Sequence, residues 1–203
     1  RRKTKADVAI ENGLEPLAKI LMAQHNESLE VAASRFKNAN IQNIEDAISG
    51  AQDIAAQWIA ERIYIRENLR RLIQREAVIT SKIVKGKEEE AEKYSDYFDY
   101  KEPVSKVKSH RTLALLRGSK EGLLKVKIEP SKEAALQILE KGIVKTNNPD
   151  TYLIEAIKDA YKRLLKPSLE NELTKVLKQN ADEEAIKVFA QNLQQLLLQP
   201  PLG

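Results

Sequence analysis

The sequence predicts a mainly α protein, a multi-helix bundle with helical hairpins and one small two-stranded β element. Three observations carry that expectation. Apolar residues recur at helical spacing almost throughout, as in Ile44, Ala47, Ile48, Ala51, Ile54, Ala55, Trp58 and Ile59. Glycine and proline are scarce, at seven each in 203 residues, beside 42% apolar and 32% charged residues. Only two stretches, residues 77–84 and 123–129, show the β-branched, loosely alternating pattern of strands.

The elements follow from local signals. A basic opening, residues 1–5, leads into an amphipathic stretch from Ala6 that stops at Gly13. A second helix covers 14–23, with Pro16 tolerated in its first turn and Leu14, Leu17, Ile20 and Leu21 on its apolar side. Ser28 reads as the N-cap of a helix over 29–36, and Asn43 as the cap of the longest early helix, from Ile44 to about Tyr64. Residues 61–77 continue the helical pattern. In SHRTLALLRG, 109–118, Ser109 reads as an N-cap and Gly118 as a left-handed stop. Beyond it come a helix from Pro130-Ser131 to Gly142, another starting at Asn148-Pro149, and a restart at Pro167-Ser168. One or two long helices then carry Leu169, Leu173, Val176, Leu177, Ile186, Phe189, Leu193 and Leu196, with Asn180-Ala181-Asp182 as a break or a polar turn. The chain thus divides into an N-terminal helical region (1–77), a β element with a basic helical excursion (78–130) and a helical spine (131–203).

Composition narrows the chemistry. Without cysteine there is neither a disulfide framework nor a thiolate metal site. The two histidines, His25 and His110, lie in separate helices, so no metal and no cofactor is expected. Ser109 and His110 are neighbours at a helix start with no third partner, and no enzyme is expected. There is no cleavable signal and no apolar run of about 18 residues, which makes the cytoplasm the expected location. Arg1 in place of Met, and the closing Pro200-Pro201-Leu202-Gly203, read as an excerpt of a longer protein.

The net charge of +4 is unevenly spread. Residues 78–130 hold 12 Lys/Arg against 9 Asp/Glu, and 101–127 alone hold eight bases against two acids. Upstream, Arg62, Arg66 and Arg70 are spaced four apart, one stripe of a helix, with Arg71 and Arg75 beside them. Forked guanidinium groups suit phosphates. The candidate nucleic-acid contacts are therefore Arg62, Arg66, Arg70, Arg71, Arg75, Lys106, Lys108, His110, Arg111 and Arg117. A solvated helix face with local ion pairs fits the same residues. Tyr94, Tyr97, Phe98 and Tyr100 form either a stacking surface for bases or an anchor into the core; the interleaved Asp96 and Asp99 favour the anchor.

Four pieces of the sequence carry a resemblance: RRKTKADVAIENGLEPLA (1–18), SKIVKGKEEEAEKYSDYFDY (81–100), SHRTLALLRGSKEGLL (109–124) and AIKVFAQNLQQLLLQPPLG (185–203). In order and spacing the chain resembles the bacterial Tex family of transcription accessory proteins. The resemblance implies an N-terminal helical region that includes a helix-turn-helix and precedes an RNase H-like domain, helix-hairpin-helix motifs and an OB-fold RNA-binding domain. It implies non-catalytic binding of RNA or DNA, mostly through those later domains, the transcription machinery as partner, and no membrane partner. The alternative is a scaffold that positions the later domains without binding nucleic acid itself. The resemblance carries no catalytic residue over to the matched motifs.

Overall fold

The computed structural model describes residues 1–202 and is mainly α. The helices are α1 (Lys5–Glu11), α2 (Glu15–Ala23), α3 (Leu29–Ala33), α4 (Ile44–Glu61), α5 (Ile63–Glu76), α6 (Ser109–Lys120), α7 (Lys132–Ile143), α8 (Thr151–Asp159) and α9 (Lys166–Leu198). The strands are β1 (Val78–Ile83), β2 (Asp99–Pro103) and β3 (Leu124–Glu129). The chain forms two compact units: Arg1–Leu72 with Ser131–Ser168, and Ile73–Pro130 with Leu169–Gly203.

In the first unit α4 is the centre, with α1, α2, α3 and α8 packed on it. Its spacing explains this: Ala47, Ala51, Ile54, Ala55 and Ile59 fall on one side, and all are fully buried. Alanines let neighbouring helices approach, while each buried Ile or Leu contributes about 1.5–3 kcal/mol of burial. Caps set the boundaries. The Thr4 and Asp7 side chains form a reciprocal capping box at α1, and Ser28, Asn43 and Ser131 cap α3, α4 and α7. Gly13, at φ +80°, closes α1 with hydrogen bonds from Gly13 N–H to Ile10 and from Leu14 N–H to Ala9.

Three boundaries differ from the sequence expectation. The helix expected from Ile44 to about Tyr64 stops at Arg62, whose backbone is extended (φ −69°, ψ 118°), and α5 begins a residue later. Asp150, not Pro149, starts α8, because its carboxylate accepts from the Tyr152 N–H at 2.8 Å. Pro167 does not restart the chain. A π-helical turn, Ala160–Leu165, joins α8 to α9, with the Lys166 N–H reaching back five residues to the Tyr161 carbonyl. Such a widened turn accommodates a proline that has no N–H to donate.

The second unit holds the sheet. Both expected strands are present, but the sheet has three strands in the order β2-β1-β3, all antiparallel. The additional strand, β2, lies in the segment of tyrosines and charges, where alternation is weak and only the pairing with β1 defines it. Ile79, Ser81, Leu124 and Ile128 are buried on one face, and α6 packs against β3. Gly118 is no helix stop: it lies buried within α6. The stop is Gly122, at φ +75°, where Gly122 N–H bonds Ser119 and Leu123 N–H bonds Gly118.

α9 is one continuous helix of 33 residues, with Asn180-Ala181-Asp182 as an uninterrupted turn. Its apolar residues recur at helical spacing along its whole length. Among them only Leu169 and Ala181 are buried, and Ile186, Phe189, Leu193, Leu196 and Leu197 are exposed. Among the described residues no helix is long and apolar enough to cross a membrane.

Candidate nucleic-acid interface

α5 buries Ile65, Leu69, Leu72 and Ile73, and its arginines lie off that face. The row spaced by four, Arg62, Arg66 and Arg70, runs along the border, each residue half-buried. Arg62 donates to the Tyr64 hydroxyl at 3.1 Å, which in turn donates to the Gly142 carbonyl at 2.7 Å. Arg66 donates to the Ala60 carbonyl at 3.4 Å and to the Ser168 hydroxyl at 2.9 Å. Arg70 is engaged as well. Arg71 and Arg75 are exposed; Arg71 donates to Asn68 at 3.3 Å, and Arg75 pairs with Glu76 at 3.0 Å. The stripe thus exists as geometry, and its guanidinium groups are committed to contacts within the chain.

The second group surrounds the start of α6. Lys106 and Lys108 precede the helix, His110 and Arg111 lie in its first turn, and Arg117 lies two turns on, seven residues from His110. Ser109 is not the cap: Lys108, in extended backbone, holds that position without a side-chain bond, and the Ser109 hydroxyl donates to the Glu184 carboxylate. Arg111 is half-buried and pairs with Glu102 at 3.4 Å. Lys106, Lys108, His110 and Arg117 are exposed, and among the described residues no carboxylate lies within 4 Å of any of them to form an ion pair. A cavity of about 550 Å³ opens beside this turn, between Lys108, His110 and Leu113 on one side and Glu184, Val188 and Phe189 on the other.

The aromatic segment is an anchor. Tyr94 is buried, its hydroxyl donates to Glu121 at 3.0 Å, and the Lys93 ammonium sits 5.1 Å from its ring centre. Burial, helped by the Glu121 carboxylate, holds its phenol pKa above the ordinary value. Tyr97 and Tyr100 meet edge to face at 5.4 Å. His25 follows α2 outside any helix, and among the described residues no group of three or more His, Asp or Glu is placed to hold a metal.

The candidate residues fall in different units: Arg62, Arg66, Arg70 and Arg71 in the first, and Arg75, Lys106, Lys108, His110, Arg111 and Arg117 in the second. Lys101, Lys125 and Lys127 belong to the basic run over 101–127, but the sequence does not show that they share a face with Lys82. Lys82, Lys101, Lys125 and Lys127 share the outer face of the sheet. The alternation Lys125-Val126-Lys127 places two of them on one side of β3, and Lys82 and Lys101 join that face through pairing alone.

Residues 24–189 match the family model described as Tex central region-like. The chain is 40% identical over its whole length to the uncharacterised protein YdcI of Bacillus subtilis, and 39% identical to the transcriptional accessory protein Tex of Neisseria gonorrhoeae. It spans 29% and 28% of the lengths of those two relatives. A more distant relative, the S1 RNA-binding domain-containing protein 1 of Pongo abelii, is 28% identical over 98% of the chain, which covers 21% of that protein.

Proposed function

The chain belongs to the Tex central region-like family, and from that premise we propose that it is part of a transcription accessory protein that acts in the cytoplasm, binds RNA or DNA through phosphate contacts and catalyses no reaction. One observation carries the reading: Lys106, Lys108, His110 and Arg117 stand exposed around α6, and among the described residues no carboxylate is in ion-pair range of them. Lysine and arginine side chains left free in this way release condensed counterions when they meet a phosphate backbone. The names of two relatives, a transcriptional accessory protein and an S1 RNA-binding domain-containing protein, support the same direction. A scaffold role is the second reading, favoured by the exposed apolar side chains of α9, Phe189 at 69% and Leu197 at 76%.

Fluorescence anisotropy with labelled single-stranded RNA and duplex DNA, at about 50 and 200 mM salt, tests the proposal. Binding is expected at the lower salt, falling steeply at the higher, and weaker in a Lys106→Gln, Lys108→Gln, Arg117→Gln variant. No binding at low salt overturns it and leaves the scaffold.

A further inference from the structure

We infer that the outer face of the three-stranded sheet is a second contact surface for the phosphate backbone of a nucleic acid, formed by Lys82, Lys101, Lys125 and Lys127. The register builds it. With Ile79 and Ser81 turned inward, Val78, Thr80 and Lys82 of β1 face out. Lys101 and Lys127 are the partners of Thr80 on its two sides, and Lys82 pairs with Lys125 on one side and Asp99 on the other. All four lysines are exposed, and among the described residues none of them forms an ion pair. The carboxylates of the face, Asp99 and Glu129, stand at diagonally opposite corners, so the centre is positive.

Two features say what this face is for. Lys82 and Lys125 are direct cross-strand partners, and like charges placed opposite each other destabilise a sheet. The fold gains nothing from that pair, whereas a polyanion laid across it removes the repulsion. The chemistry of the face also selects the kind of contact. Neighbouring strands are about 4.8 Å apart and alternate residues of one strand about 7 Å, so the four ammonium groups form a compact array on flexible stems. The face carries no aromatic ring: its other outward residues are Val78, Thr80 and Pro103. It therefore offers no platform for stacked bases, and contact through charge alone is insensitive to sequence. An acidic peptide would find few apolar side chains to hold it.

The inference rests on the reading that the chain binds nucleic acid, and the experiment separates the two. The anisotropy titration is run on the whole chain with a labelled single-stranded RNA. It compares wild type, the Lys82/Lys101/Lys125/Lys127→Gln variant, the same four positions changed to Arg, and the Lys106/Lys108/Arg117→Gln variant. Circular dichroism checks the fold, and the pair Lys125→Gln, Lys127→Gln serves if the fourfold variant does not fold. The Gln variant is expected to lose affinity at least about tenfold, and its log–log salt slope to become shallower by about 3, close to the 0.7 expected per phosphate contact for four lysines. The Arg variant is expected to bind like wild type. If the Gln variant binds like wild type while the α6 variant is weakened, the sheet face is overturned and nucleic-acid binding stands. If wild type binds no nucleic acid, both fall. If polyglutamate competes as well as unlabelled RNA at equal charge, the face is an acidic-polypeptide site and the inference fails.

Discussion

Gly118 shows how much one side chain position decides. The sequence places it near the end of a leucine-bearing helix, which suggests a left-handed stop, yet it is a packing glycine. A Cβ there would stand 2.5 Å from Leu124 Cδ1 and 2.8 Å from Cγ. Leu124 is buried in the face of β3 that α6 covers, so it has no room to turn away. Alanine favours a helix interior by about 1 kcal/mol over glycine, and overpacking a filled core costs about 1–3 kcal/mol. Overpacking wins, and Gly118→Ala is expected to lower the thermal midpoint followed by circular dichroism. The true stop, Gly122, comes four residues later and was invisible as such, because two glycines in one short stretch offer two equivalent endings. An unchanged or higher midpoint in Gly118→Ala would mean that Leu124 can move after all.

At the scale of elements, what was legible is what is local. The Ser28 and Asn43 caps stand where the sequence placed them, since a cap depends on three or four adjacent residues. The break at Arg62 carries no proline or glycine, and β2 exists through its pairing with β1, so neither announced itself. The caps also give the fold a pH dependence. The Thr4 backbone N–H, with the Thr4 hydroxyl, depresses the Asp7 pKa. The backbone N–H of Glu30, then the Tyr152 and Ser28 hydroxyls, depress that of Glu30. The backbone N–H of Glu133, then the Ser131 hydroxyl, depress that of Glu133. A carboxylate whose folded pKa lies below its unfolded value stabilises the fold above the unfolded value, near pH 4, and loses that contribution as pH falls through the folded pKa. Asp53 has the opposite sign, because burial raises its pKa and protonation removes the cost of its partly buried charge as pH drops. Three such carboxylates stand against the single half-buried Asp53. The urea midpoint is expected to fall between about pH 5 and pH 3, and the fall to be shallower in an Asp7→Asn, Glu30→Gln, Glu133→Gln variant. Equal slopes in the two proteins would remove the caps as its source.

Across the whole molecule the periodicity of the sequence announces helices faithfully but not what they pack against. The same apolar spacing gives α4, whose Ala47, Ala51, Ile54 and Ile59 are fully buried, and the end of α9, where Ile186 is 68% exposed. Periodicity reports that a helix has an apolar side; burial depends on whether another element reaches that side. The two helices should therefore differ in stability although both are continuous. Helical propensity alone leaves a segment of about 15 residues marginal in water, and most helix stability comes from a packed face. Local opening free energies range from near zero at unpacked ends to the global value in the core. Hydrogen exchange followed by mass spectrometry is expected to show the slowest amides in α4 and a decline along α9, with residues 182–198 approaching the unprotected rate. The measurement has a second use, because self-association at high concentration would cover the apolar side chains of α9. Protection there that rises with protein concentration, and disappears in a Phe189→Ser, Leu196→Ser, Leu197→Ser variant, would identify that contact. Protection equal to that of α4 at low concentration would mean that the helix is stable without a packed face, and would overturn the expectation.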